Sequence, residues 1–172
     1  MNREEESGMT DNELTQLSLR IGQLLLARGA SVATAESCTG GWIAKVLTDV
    51  AGSSAWFQRG FVTYSNEAKQ QMTGVTEQSL AHFGAVSEQV VSEMARGARR
   101  EAGVQYAISV SGIAGPDGGS VEKPVGTVWF GFASASGEVL TLVRCFNGDR
   151  EAVRRQATGW ALQTLHDHFL KN

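Results

Sequence analysis

Between Ser31 and Lys45 the chain passes from a short buried-strand pattern, Ser31-Val32-Ala33-Thr34-Ala35, through the polar run Glu36-Ser37-Cys38-Thr39-Gly40-Gly41. It then enters a helical pattern in which Trp42, Ile43, Val46 and Leu47 recur on one face. Strand, tight turn and helix follow one another with no linker. A strand that feeds directly into a helix belongs to folds in which helices cover a sheet. The turn also carries a chemical constraint. The first amides of a helix lack intrahelical acceptors and carry partial positive charge, so such a terminus suits an anion or a developing oxyanion.

The same alternation extends through the sequence. Thr10-Asp11 caps a helix whose apolar face is Leu14, Leu17, Ile21, Leu24 and Leu25, ending at Gly29. Residues 55–64 have strand content interrupted by Gly60, which reads as one bent strand or a tight pair. Asn66 is placed to cap a short helix through Met72, and Thr76 to His82 form a further helical turn. Ser87 and Glu88 open a long helix with Val90, Val91, Met94 and Ala98 on one face, closed by Gly103. Gln105 to Ser111 read as a buried strand running into a glycine-rich loop, Gly112 to Pro124, too long to be an idle connection. Thr127–Ala133 and Val139–Phe146 form a hairpin about Ser134–Gly137. A last helix carries Val153, Ala157, Ala161, Leu165 and Phe169. Single strands joined through helices favour parallel pairing and the hairpin adds antiparallel strands. The expected architecture is α/β: three layers, α/β/α, around a mixed, mostly parallel sheet, with one domain over residues 10–172. Residues 1–9 are expected to be disordered or an extension.

Composition narrows what such a domain does. A formal charge of −3 and a pI near 5.6 argue against a broad grip on nucleic acid, though not against a local basic pocket. No apolar run approaches the roughly 20 residues needed to span a bilayer, and the start MNREEESG is acidic rather than signal-like. A cytoplasmic protein without membrane contact is expected. Cys38 and Cys145 show no CxxC or ligand spacing, and His82, His166 and His168 none either, so neither metal nor cofactor is expected and both thiols should be free. No GxxxxGK[ST] loop occurs. Trp56 and Phe57, aromatic residues on a possible edge strand, suggest a homodimer.

Four polar clusters stand just after strands: Glu36–Thr39, Tyr64–Lys69, Ser111–Asp117 and Asn147–Arg150. Ligands of open α/β sheets settle at the carboxyl ends of strands, so the four clusters are expected to line one crevice. Each residue keeps two readings at this point. Ser37 is either a nucleophile, with amides of Thr39, Gly40 or Gly41 facing its oxyanion, or a helix cap, as Thr39 also is. Cys38 competes with Ser37 for the nucleophile's role. Lys69, in the first turn of its helix, is either a surface cation or a base whose pKa the helix terminus and burial lower. Tyr64 orients the lysine, lines the site, or simply packs. Glu36 is a supporting partner or a polar strand end. Ser111, Gly112 and Arg150 suit a phosphate, while Arg150 equally suits an ion pair with Asp149 or Glu151.

Taken together and in order, AESCTGG, GFVTYSNEAK, VSGIAGPDGG followed by KPVGTVWF, and FNGDR resemble the CinA C-terminal domain family over about Asp11 to Leu170. The resemblance is nearest to the family's stand-alone members. It implies a metal-free serine hydrolase acting through a Ser–Lys arrangement on the carboxamide of a small nucleotide substrate, nicotinamide mononucleotide, releasing ammonia. Carried onto this sequence, it implies Ser37, Lys69 and Tyr64 as catalytic residues. Thr39, Gly40, Gly41, Ser111, Gly112 and Arg150 are then the expected substrate-binding residues. A silent nucleotide-binding module of the same fold and an amidase for another small amide are the alternatives.

Overall fold

The computed structural model describes residues 8–172, so most of the expected N-terminal extension lies outside the described residues. In chain order the elements are α1 (Asp11–Ala27), β1 (Val32–Glu36), α2 (Trp42–Thr48), a 3-10 turn at Ser53–Ala55, β2 (Phe57–Val62), α3 (Asn66–Thr73), α4 (Glu77–Phe83) and α5 (Glu88–Ala102). They continue with β3 (Tyr106–Gly112), β4 (Thr127–Ala133), β5 (Val139–Cys145), α6 (Arg150–Thr164) and a closing π-helical turn, Leu165–Leu170. No helix among the described residues is long and apolar enough to cross a membrane.

One sheet runs in the order β2-β1-β3-β4-β5. β1 pairs in parallel with both β2 and β3, whereas β4 is antiparallel to β3 and to β5. Four of the five strands therefore point the same way, which is the mixed, mostly parallel sheet the sequence implied. Every residue of β1 is buried, because helices cover both faces of this inner strand. Val32 faces a core built with Leu14, Leu17 and Ile21 of α1, Ile43 and Leu47 of α2, and Val153 and Ala157 of α6. Ala33 and Ala35 face a second core with Val90, Val91, Met94 and Ala98 of α5. Small side chains on that face let α5 lie close to the sheet.

The helix starts follow the capping chemistry, with one correction. Thr10 and Glu13 form a reciprocal capping box on α1, and Ser87 caps α5. The cap of α3 is Ser65, whose hydroxyl accepts from the Ala68 amide, and not Asn66. Lys69 therefore sits at the end of the first helical turn, its own amide already bonded to Ser65 O. Within residues 55–64 a single strand forms, β2 at Phe57–Val62, entered through the 3-10 turn, and not a pair of strands. β2 is indeed an edge, yet Trp56 is buried and does not mark an exposed surface. Its indole fits because residue 22 is glycine: a Cβ there would stand 2.6 Å from the ring. Gly8 and Met9 run along α6, with the Met9 side chain against Gly159.

Candidate active site

Because β1, β2, β3 and β5 run the same way, the four polar clusters that follow them leave the sheet at one end, as expected. Hydrogen bonds tie them together there: Ser37 N to Val110 O at 3.0 Å, Thr63 N to Glu36 O at 2.8 Å, and Arg150 Nη1 to Gly115 O at 2.7 Å.

Ser37 and Lys69 meet at the floor of this region. Lys69 is 1% exposed, and its Nζ lies 3.0 Å from Ser37 Oγ, 2.9 Å from Thr63 O and 3.0 Å from Tyr64 O. No carboxylate among the described residues hydrogen-bonds to the amine. Burial dominates and pulls the pKa down to about 8, against a smaller opposing electrostatic influence from Cys38. Two backbone carbonyls accept two N–H groups of the neutral amine and leave its third direction for Ser37 Oγ. The serine hydroxyl, whose other neighbour is Tyr64 O at 3.4 Å, caps no helix.

Capping of α2 falls instead to Glu36. Its carboxylate, 1% exposed, accepts from Thr39 Oγ1 at 2.6 Å and from the amides of Ile43 and Ala44 at 2.9 Å each, with the Gly41 amide also facing it. Burial raises the Glu36 pKa against those hydrogen bonds. Glu36 is thus a supporting residue for the turn, and the Thr39 hydroxyl is committed to it rather than to a ligand. Cys38 is buried as well, and desolvation with the nearby Glu36 charge pushes its thiol up to about 12, away from the reactive thiolate.

The amides of the turn differ from the sequence expectation. Gly40 N bonds to Ser37 O at 3.0 Å, so the Gly40 and Gly41 amides are both engaged within the turn. That of Thr39 finds no acceptor among the described residues, and that of Cys38 faces only its own side chain. Gly40 and Gly41 have φ of 59° and 102°, and this left-handed pair is what brings the chain from the turn into α2.

Around the floor stands an open rim. Tyr64 is 62% exposed, and its phenol lies 3.4 Å from Arg150 Nη2. The alternative ion pair of Arg150 does not form: Asp149 caps α6 through Ala152 N, and Glu151 lies 3.6 Å from Arg155. Ser111 is buried on the α5 face of β3, and its hydroxyl makes no hydrogen bond to the described residues. At Gly112 β4 approaches closely, and a Cβ there would stand 2.6 Å from Val128 Cγ2. One residue at this end drew no attention in the sequence. Arg154, one turn beyond Arg150 on α6, donates from Nε to Cys38 O at 3.0 Å and from Nη2 to Thr39 O at 3.2 Å. Its guanidinium also lies over the Trp42 ring, 5.5 Å from the centroid. A basic pair at i and i+4 opening a helix after a polar strand end was the available signal. Among the described residues no three His, Cys, Asp or Glu side chains gather as metal ligands.

Fold and site together define an α/β protein with a serine–lysine centre at the carboxyl ends of its parallel strands. The chain belongs to the CinA C-terminal domain family, whose model matches residues 14–169. It is 71% identical over 164 residues to the nicotinamide-nucleotide amidohydrolase PncC of Escherichia coli K12, spanning 95% of this chain and 99% of that one. A protein of the same description from Pseudomonas putida is 53% identical over 152 residues, covering 88% and 94% of the two chains. Among solved structures, the competence/damage-inducible protein CihA of Agrobacterium tumefaciens superposes with a TM-score of 0.87 at 44% identity, over 91% of this chain and 94% of that one.

Proposed function

We propose that this chain hydrolyses the carboxamide of nicotinamide mononucleotide to nicotinate mononucleotide and ammonia, with Ser37 as nucleophile and Lys69 as its base. The observation that carries the mechanism is the 3.0 Å contact between Lys69 Nζ and Ser37 Oγ inside a buried site that lowers the lysine pKa to about 8. The substrate follows from relatives that share 71% of their residues with this chain over nearly their whole length and are named for this activity.

In the neutral state Lys69 donates to Thr63 O and Tyr64 O and offers its lone pair to the Ser37 hydroxyl. Ser37 Oγ attacks the carboxamide carbon as its proton passes to Nζ. The resulting oxyanion takes hydrogen bonds from open amides of the turn after Ser37, and the Cys38 and Thr39 amides are the ones available. Collapse breaks the C–N bond, and the lysine proton leaves with ammonia. Water then attacks the acyl-serine, giving its proton to Lys69, and the Ser37 oxygen departs and recovers that proton. The sum is amide plus water to carboxylic acid plus ammonia, with the enzyme unchanged.

The rim addresses the rest of the nucleotide. The exposed Tyr64 ring offers its face to the pyridinium cation, an arrangement favourable for an aromatic quadrupole. Arg150, with Ser111 and the Gly112 amide, offers donors to the phosphate. The test is ammonia release from nicotinamide mononucleotide by the purified protein, with nicotinate mononucleotide identified as the coproduct. Binding without turnover would reduce the domain to a nucleotide-binding module, and turnover of other small amides alone would overturn the substrate.

A further inference from the structure

We infer that Arg154 is a positioning residue for this reaction: by holding the carbonyls of Cys38 and Thr39 it fixes the Ser37–Gly40 turn in the conformation that presents the Thr39 amide to the oxyanion. The inference rests on the assignment of Ser37 as nucleophile.

The geometry leads there in three steps. Gly40 N to Ser37 O closes a four-residue turn at 3.0 Å, and neither Cys38 nor Thr39 has positive φ. That excludes a type II turn. The Thr39 amide then stands where a capping side chain at Ser37 would ordinarily accept it, on the side of Ser37, whose own hydroxyl is turned to Lys69 instead. Secondly, a trans peptide is planar, so the C=O of Cys38 and the N–H of Thr39 point in opposite directions. Arg154 Nε grips that C=O from the α6 side, so the Thr39 N–H points away from α6. Thirdly, the grip is rigid. Nη2 reaches the next carbonyl, Thr39 O, which also accepts from Trp42 N, and the guanidinium plane rests on the Trp42 ring. A planar fork with two donors on adjacent carbonyls prevents the Cys38–Thr39 peptide from flipping; an ammonium reaches them only as a point charge.

The opposite side of the turn is held by Glu36, which takes the Thr39 hydroxyl and the amides leading into α2. The turn is thus clamped between a buried carboxylate and a guanidinium. Within the turn the Thr39 amide is left without an acceptor among the described residues, beside a Cys38 amide that faces only its own side chain. Arg154 does not contact Lys69, so its role is separable from the proton transfer.

The experiment compares wild type, Arg154→Lys, Arg154→Ala and Ser37→Ala in steady-state hydrolysis of nicotinamide mononucleotide, alongside thermal unfolding. Losing a whole oxyanion donor costs about 10²–10³-fold in kcat, so loosening one should lower kcat at least about tenfold in both arginine variants, with KM within about threefold. The pH at which activity rises should not move, because Lys69 is untouched. Millimolar guanidinium should restore part of the kcat of Arg154→Ala and leave wild type unchanged. If Arg154→Ala fails to fold, Arg154→Lys, which keeps the charge and most of the stem, carries the kcat test alone. A raised KM at unchanged kcat would place Arg154 on the substrate and overturn the inference. So would a lowered Tm with wild-type kcat, which would make the residue purely structural. Activity surviving in Ser37→Ala would instead sink the nucleophile assignment on which the inference rests.

Discussion

The floor and the rim of this site are built on opposite plans. On the floor Ser37, Thr39, Glu36 and Lys69 are all buried, and their polar groups meet at 2.6 to 3.0 Å. On the rim Tyr64 is mostly exposed and touches Arg150 only at 3.4 Å. Low dielectric strengthens each floor contact and fixes its geometry before substrate arrives, which is what proton transfer and oxyanion stabilisation require. Exposed groups gain little from one another in water and stay free to rearrange about a ligand. The difference separates two kinds of control: the floor should govern kcat and the rim KM.

The sharpest way to break that division is at Ser37 and its neighbour. Ser37→Ala should abolish turnover, by about three orders of magnitude or more, since the covalent route is gone. Cys38→Ala should keep most of it, because burial has made the thiol a poor nucleophile. Both are read as ammonia release under identical folding controls. The reverse pattern would move the covalent step to sulfur and with it the meaning of the whole floor.

Lys69 comes next. Lys69→Arg keeps a cation that does not deprotonate in this range, and should lose at least about two orders of magnitude in kcat. With the neutral amine as the proposed active form, kcat/KM should rise with pH through about 8 and flatten above it. The sign for stability is set by the same lowered pKa. From about 8 up to the ordinary 10.5 the unfolded chain binds the proton that the folded one has lost, so stability should rise with pH across that window. Below it the full cost of the buried ammonium remains, up to about 3 kcal/mol. Lys69→Met should flatten this dependence in thermal melts at pH 7 and 10. A rising limb that persists unchanged in the arginine variant would assign the base elsewhere.

What the sequence made legible follows the same partition between local and long-range causes. The passage from β1 through the turn to α2 was readable because hydrophobic period and capping chemistry are local, and the caps Thr10 and Ser87 fell where polar side chains precede an apolar stripe. At α3 two adjacent residues, Ser65 and Asn66, both suit a cap, and the extended backbone of Ser65 chose between them. Composition does not encode that choice. Trp56 looked like an edge residue because its seat, Gly22, lies in another helix. The burial of Lys69 was equally hidden in the polar segment NEAKQQMT. It depends on α3 pressing against α5 so closely that a Cβ on Gly97 would overlap Thr73 O. Family resemblance pointed to Ser37 and Lys69 where spacing could not, and Arg154 escaped because its partners are backbone carbonyls, which no motif of side chains records.

The smallest effects should come from the rim, and their form matters more than their size. Arg150 spans from Gly115 O on the glycine-rich loop to the Tyr64 phenol, so it is placed to meet an anion between them. A charge-assisted hydrogen bond contributes roughly 1.5–3 kcal/mol, so Arg150→Ala should raise KM by between about tenfold and about a hundredfold, with kcat within about threefold. Tyr64→Phe keeps the ring proposed to face the pyridinium and loses only the long hydroxyl contact, so KM should change less than about threefold. Tyr64→Ala removes the ring and should behave more like the arginine variant. All three are read from full saturation curves with nicotinamide mononucleotide, and the arginine variant should lose its deficit when nicotinamide riboside, which carries no phosphate, is the substrate. A fall in kcat of the size expected for Lys69→Arg in any rim variant would erase the boundary between floor and rim, and would make Tyr64 or Arg150 part of the proton-transfer machinery rather than a grip on the nucleotide.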